Sequence, residues 1–305
     1  MADASLSAED SANNPELAQA SAARGKKVMP RVDFLTPPGA AALYAPDSLS
    51  WQVFKNPVSL FIGGIAAVLL ELAEPRVRSG VWGHSIFPTD PLTRIRRTGL
   101  ATHATIYAPA DTAARLIRSV VRMHDRVEGR TPDGAPYRAN DPVLLDWVQA
   151  TVSFGFMEAY AAFVRPLSDM ERDRFYAESE PSARLFGAIG APLSLAAQQA
   201  QFEAMLPHLQ PHPIVHEFLA IMRRIPALPA PLRPLQGMML RAAVSILPEQ
   251  VATRLELDSE WRLHPRERWL LKQLGALADR IPVPGSPPVL ACKRLGLPDN
   301  YLHKR

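Results

Sequence analysis

Thirty prolines in 305 residues constrain how this chain can fold more than any other feature. That is roughly twice the average usage of about 5%. Proline lacks a backbone N–H and blocks the interior of helices and of central strands, yet it is accepted in the first turn of a helix. Many prolines here stand between segments whose apolar residues recur with helical spacing. Glycine, at 16, is not raised alongside them. Proline therefore punctuates a helical chain, and alternating strand patterns are scarce. With no internal repeat and no linker, the expectation is an all-α fold in a single globular multi-helix domain, with nothing requiring a sheet.

Individual segments sharpen this expectation. Between Thr112 and Glu128, residues Ala113, Leu116, Ile117, Val120, Val121 and His124 share one helical face, while Arg115, Arg118, Arg122 and Arg126 lie largely elsewhere. His124 then points with the apolar stripe towards the core, and Glu128 and Gly129 end the helix. A loop, TPDGAPYRAND, follows, and Asp141 with Pro142 forms an N-cap and first helical position. Ser168 and Glu171 have capping-box spacing. Further helices are expected near 193–206, 212–223, 231–246 and 265–280.

Composition removes several classes of function. The net charge is +4, but the arginines are spread along the chain without aromatic interleaving, so no nucleic-acid partner is expected. A single cysteine, Cys292, excludes an internal disulfide and C-x-x-C-H haem attachment. The first 30 residues lack an apolar signal core and read as a disordered tail. The uncharged run Asn56 to Leu70 is 15 residues long, short of the roughly 20 that span a bilayer. It is expected as a buried helix, with no integral membrane segment and a cytoplasmic location.

The P-loop, the dinucleotide glycine fingerprint, the G-x-S-x-G elbow and the paired E-x-x-H elements of a di-iron bundle are all missing. His208, His212 and His216 recur every four residues, but Pro207, Pro211 and Pro213 break the helix that would align them on a metal. His124 is a different candidate: a neutral imidazole on an apolar face can offer one lone pair to a metal while its other nitrogen is held by a carbonyl or carboxylate. By spacing alone, a hydrogen-bonded core histidine is the commoner outcome. Upstream, Arg94, Arg97 and Thr98 fall at i, i+3 and i+4 and share a helix face. They suit haem propionates or an oxygen species, or equally a solvated basic turn.

At these residues the sequence resembles a family that includes latex-clearing rubber oxygenases and MpaB-type oxygenases. The resemblance runs from about Asp47 to Ile281 through ordered blocks: PRVRSGVWGHSIFPTDPLTRIRRT, VVRMHDRVEGRTPDGAPYRANDPVLLDWV, RPLSDMERDRFYAES and LFGAIGAPL. It implies a catalytic domain over 31–290, leaving 291–305 as a C-terminal tail. It also implies haem b as cofactor, a hydrophobic, isoprenoid-like small-molecule substrate, and dioxygen as co-substrate. His124 occupies the position of the iron-ligating histidine. Arg94, Arg97 and Thr98 match an R-x-x-K-T element on the distal side, with Arg97 replacing the lysine. The resemblance thus assigns Arg94 and Thr98 to positioning oxygen and substrate, and Arg97 to the role of a distal or propionate-facing cation. An arginine stays protonated and leaves the sixth iron site open or water-filled.

Two departures stand out: Gln149 replaces a histidine after Trp147 and Val148, and Glu74 stands where a histidine commonly precedes Pro75. They favour an alternative, a non-catalytic helical protein that binds haem or an apolar ligand; the Arg94/Thr98 pair favours an oxygenase. Phe154, Phe156 and Tyr160 are expected to line substrate entry, and His84 and His103 are further candidates near the metal.

Overall fold

Helix starts follow the punctuation read from the prolines. A computed structural model describes residues 31–257 and 259–304; the tail expected over 1–30 lies outside the described residues. From Val32 onward the chain forms one compact unit. It is helical: α1 (Leu49–Val53), α2 (Pro57–Ala73), α3 (Pro75–His84), α4 (Pro91–Tyr107) and α5 (Ala110–His124) precede a hairpin, β1 (Glu128–Arg130) and β2 (Pro136–Arg138). Then come α6 (Pro142–Phe163), α7 (Asp169–Glu178), α8 (Glu180–Phe186), α9 (Leu195–Met205) and α10 (Pro213–Arg224). The last are α11 (Gln236–Ser245), α12 (Glu249–Arg254), α13 (Pro265–Ala278) and α14 (Pro287–Arg294). Proline opens α2, α3, α4, α6, α10, α13 and α14, where its missing N–H costs no helical hydrogen bond. Side chains of Asn56, Glu74, Asp90 and Asp141 cap the free amides of α2, α3, α4 and α6, and Ser168 with Glu171 forms the expected capping box.

The differences from the sequence reading are local. The helix expected to reach Glu128 stops at His124, and Glu128–Arg130 pairs antiparallel with Pro136–Arg138. Gly134, at φ +87°, makes the turn between the strands. Tyr137 fixes the hairpin, because a Cβ on Gly129 would sit 2.7 Å from its hydroxyl. The helix expected over 231–246 begins as a 3₁₀ turn, Ala230–Leu235, because Pro234 removes a donor there, and turns α-helical only at Gln236.

At the centre, α2 and α6 cross at their glycines. A Cβ on Gly63 would lie 2.7 Å from the Gly155 carbonyl oxygen, so the two backbones touch. The helices run antiparallel, because both the start of α2 and the end of α6 meet Gly275 of α13. Asn56 Nδ2 donates to the Gly275 carbonyl at 2.9 Å, and a Cβ on Gly275 would collide with the Phe163 carbonyl. The opposite end therefore gathers the last turn of α2 and the first turn of α6. Among the described residues no single helix is long and apolar enough to cross a membrane. The bent pair α2 and α3 would pass by composition, but it turns through 111°, and most of α2 is core.

Residues 291–304 pack against the rest of the domain through two buried cations. Arg294 donates to the carbonyls of Phe34 (2.7 Å), Tyr107 (2.8 Å) and Ala40 (2.8 Å). Lys55 donates to the Leu302 carbonyl at 2.6 Å and pairs with Asp279 at 3.1 Å. Cys292 is buried beside them, which pushes its thiol up to about 11.

Gly155→Ala is expected to lower stability by about 1–3 kcal/mol through overpacking. Gly64→Ala, whose Cβ would meet nothing closer than 3.8 Å, should be neutral or gain up to about 1 kcal/mol. Urea unfolding of the two variants side by side checks this. Arg294→Ala, which strands three carbonyls, should cost about 3 kcal/mol in the same measurement.

Candidate functional site

The end of the domain where α2 finishes and α6 begins carries the sequence-predicted chemistry. Glu71 stands in the last turn of α2 between Leu70 and Leu72, which are fully buried in the core. Arg94 projects from the first turn of α4 and His124 closes α5; α4 and α5 pack together. The charge of Arg94 acts on both Glu71 and His124, so these three side chains share one locality. Thr98, one turn after Arg94, accepts from its guanidinium and donates to its carbonyl at 2.9 Å. The predicted i, i+4 pair is therefore formed.

The inward faces of α4 and α5 are only half-covered here. Ala113 and Ile117 are buried, but Val120, Val121 and His124 remain partly exposed, as do Glu71 and Arg94. A helix with so sharp an apolar stripe normally buries it fully. The last turns of the stripe instead stay partly open to solvent.

His124 sits in a specific environment. Its Nδ1 is buried and has no hydrogen-bond partner, and the same holds for Asn140 Oδ1. The Asn140 amide is oriented by its other end: Nδ2 donates to the Val121 carbonyl at 3.1 Å and to Asp125 Oδ1 at 2.7 Å. Burial lowers the His124 pKa and Arg94 lowers it further, with Asn140 and Asp125 opposing. The lowered pKa favours the neutral imidazole, whose lone pair can serve a metal or a proton.

Glu71 was not singled out from the sequence. The signal was a lone acid inside an apolar helix, which is costly unless it has a role. Burial pushes its carboxyl up to about 7, against the pull of Arg94. At that value it can both give and take a proton near neutrality. Burial also lowers the Arg94 pKa, with Glu71 opposing, but a guanidinium remains charged.

Other candidates are placed elsewhere. Arg97 is half-buried, and its charge acts on Asp90 at the start of α4. His103 Nδ1 pairs with the Gly99 carbonyl at 2.9 Å and its ring stacks on Tyr107. His84 Nε2 contacts the Tyr137 hydroxyl at 3.2 Å. His212 caps α10 by accepting from the Ile214 amide. Glu74 accepts from the Val77 amide at 2.7 Å and pairs with Arg76, so it is spent on starting α3. Gln149 reaches Ser153 on its own helix. Phe154, Phe156 and Tyr160 do not line one surface: Phe156 and Tyr160, one turn apart, are buried in the same core cluster, with Phe156 on Phe54, whereas Phe154 turns away and packs on Phe202.

For the ligand-free protein, the raised Glu71 pKa has a definite pH signature. The folded chain holds this proton from the ordinary value of 4.5 up to about 7. Stability present at acid pH is therefore lost as pH rises through that window, by up to about 3 kcal/mol. Urea unfolding across the range should show the slope in the wild type, and Glu71→Gln should flatten it.

A family profile described as ER-bound oxygenase mpaB/B'/rubber oxygenase, catalytic domain, matches residues 51–280. No curated protein and no solved structure matches the chain. The matched span runs from α1 to the turn after α13 and contains Glu71, Arg94, Thr98, His124 and Asn140. The chain therefore belongs to the ER-bound oxygenase mpaB/B'/rubber oxygenase family and carries its catalytic domain.

Proposed function

We propose that this protein is a haem b-dependent oxygenase that uses dioxygen to oxidise or cleave a hydrophobic, unsaturated, isoprenoid-like small molecule. The observation that carries the reading is a pair of buried, unpartnered atoms, His124 Nδ1 and Asn140 Oδ1, on side chains close enough for Asn140 to act on the imidazole. With Asn140 Nδ2 committed to two acceptors, its Oδ1 is the natural partner for a proton on His124 Nδ1. That tautomer leaves the Nε2 lone pair free, the arrangement in which a metal-ligating histidine is held by a carbonyl oxygen on its far nitrogen. The half-covered apolar faces of α4 and α5 suit a flat, largely apolar group, so the residues present fit haem.

When bound, haem supplies the iron that binds and activates dioxygen. The chain's own residues supply the rest. His124 would hold the haem iron through Nε2, and Asn140 would fix its tautomer and orientation. Arg94, held by Thr98, presents a fixed cation and hydrogen-bond donor that would orient polar oxygen atoms beside it. Arg97 would provide a second cation for the haem propionates. Glu71 holds or releases a proton beside Arg94 near neutral pH. The apolar stripe of α5 excludes water and receives the hydrocarbon substrate.

The visible absorption spectrum of haem-loaded wild type beside His124→Ala tests the cofactor. A Soret band lost or strongly shifted in the variant is the expected result. A wild type that stays colourless through haem titration overturns the reading. Asn140→Ala should weaken haem binding about 10- to 100-fold, whereas Asn140→Asp, which keeps an acceptor oxygen, should retain most of it.

A further inference from the structure

Helix α13 is sorted by charge around its axis. Its two carboxylate neighbours turn inward: Glu267 accepts from Arg241 Nε at 3.1 Å, and Asp279, just past its end, pairs with Lys55 at 3.1 Å. Arg268 also turns inward, over the Phe163 ring at 5.7 Å. The outward side keeps only cations, the exposed Arg266, Lys272 and Arg280. Between and beyond them stand apolar side chains that the fold leaves uncovered. Trp269 is 63% exposed, Leu277 56%, Ile281 49% and Val283 53%. Large apolar residues exposed singly are ordinary; four along one helix and its following turn form a patch.

We propose that this face docks the protein peripherally on an anionic lipid bilayer. The chemistry of the patch selects that occupant. An indole ring prefers the headgroup boundary, aliphatic side chains enter the acyl region, and cations flanking them meet lipid phosphates and carboxylates. A protein partner with an apolar surface would not require that every outward charge be positive, and a second copy of this chain would set these cations against themselves. The face lies on α13 and the turn after it, and uses none of Glu71, Arg94, Thr98, Asn140 or His124.

Co-sedimentation of the full chain with vesicles tests this, comparing phosphatidylcholine alone with phosphatidylcholine mixed with phosphatidylserine. Binding to the mixed vesicles should be at least about tenfold stronger. The double variant Trp269→Ser/Leu277→Ser should lose most binding to both. The triple variant Arg266→Ser/Lys272→Ser/Arg280→Ser should lose the preference for the anionic vesicles. All substituted residues are exposed, so an unchanged thermal midpoint and circular dichroism spectrum verify that each variant is folded. Absence of binding to anionic vesicles, or binding untouched by both variants, overturns the proposal. So does a dimer in light scattering that the Trp269/Leu277 variant dissolves while wild type ignores vesicles, because the face is then an interface between copies.

Discussion

The contact between Gly63 and Gly155 is the constraint on which the rest of the structure depends. Two long, mostly buried helices can approach to backbone contact only where neither carries a side chain, and the sequence supplies glycine at both positions. The close approach removes apolar surface on α2 and α6 from water along their lengths, which is the main driving force for the fold. Gly275 repeats the device where α13 meets the end of α6, and Asn56 ties the start of α2 to the same point. With one end of the helix pair clamped this way, the other end is set in register. Glu71 and the Asn140–Asp141 corner arrive there together as a consequence.

The site borrows its electrostatics from that packing. Glu71 is half-buried beside the core residues that end α2, so its charge is poorly solvated and its proton is retained to about 7. The Arg94 cation lies near enough to act on both Glu71 and His124, disfavouring a second positive charge on the imidazole. A neutral histidine and a protonatable acid around a fixed cation follow from placing one charged side chain between two half-buried groups. The departures from family pattern at Glu74 and Gln149 have local uses: the first caps α3 and the second bonds within α6. Neither side chain leaves a buried polar atom without a partner.

Much of the fold was legible in the residue pattern, for physical reasons that act locally. Proline at a first helical position, an Asp or Asn before it, and Ser168 spaced three residues from Glu171 each specify a helix start without reference to the rest of the chain. His124 on the apolar stripe and the Arg94–Thr98 pair were legible in the same way, because helical spacing alone decides which residues share a face. The hairpin after α5 was not, since Glu128–Arg130 has no alternation of its own and is held by Tyr137 and the turn at Gly134. Nor was the substrate-facing role expected for Phe154, Phe156 and Tyr160, whose directions depend on which sides of α6 meet other helices.

What local chemistry could settle was therefore the helical class, the helix starts and which candidate residues share a helix face. The tertiary structure alone decided which of those residues share a locality. Glu71 joins Arg94 and His124 because antiparallel packing brings the end of α2 to the ends of α4 and α5. Asn140 becomes a candidate partner for His124 because its amide is turned by Val121 and Asp125, and residues 291–304 join the core because Arg294 finds three carbonyls from distant segments. Spacing along a chain encodes neighbours within one helix; burial, pKa and partners across helices exist only once those helices have packed.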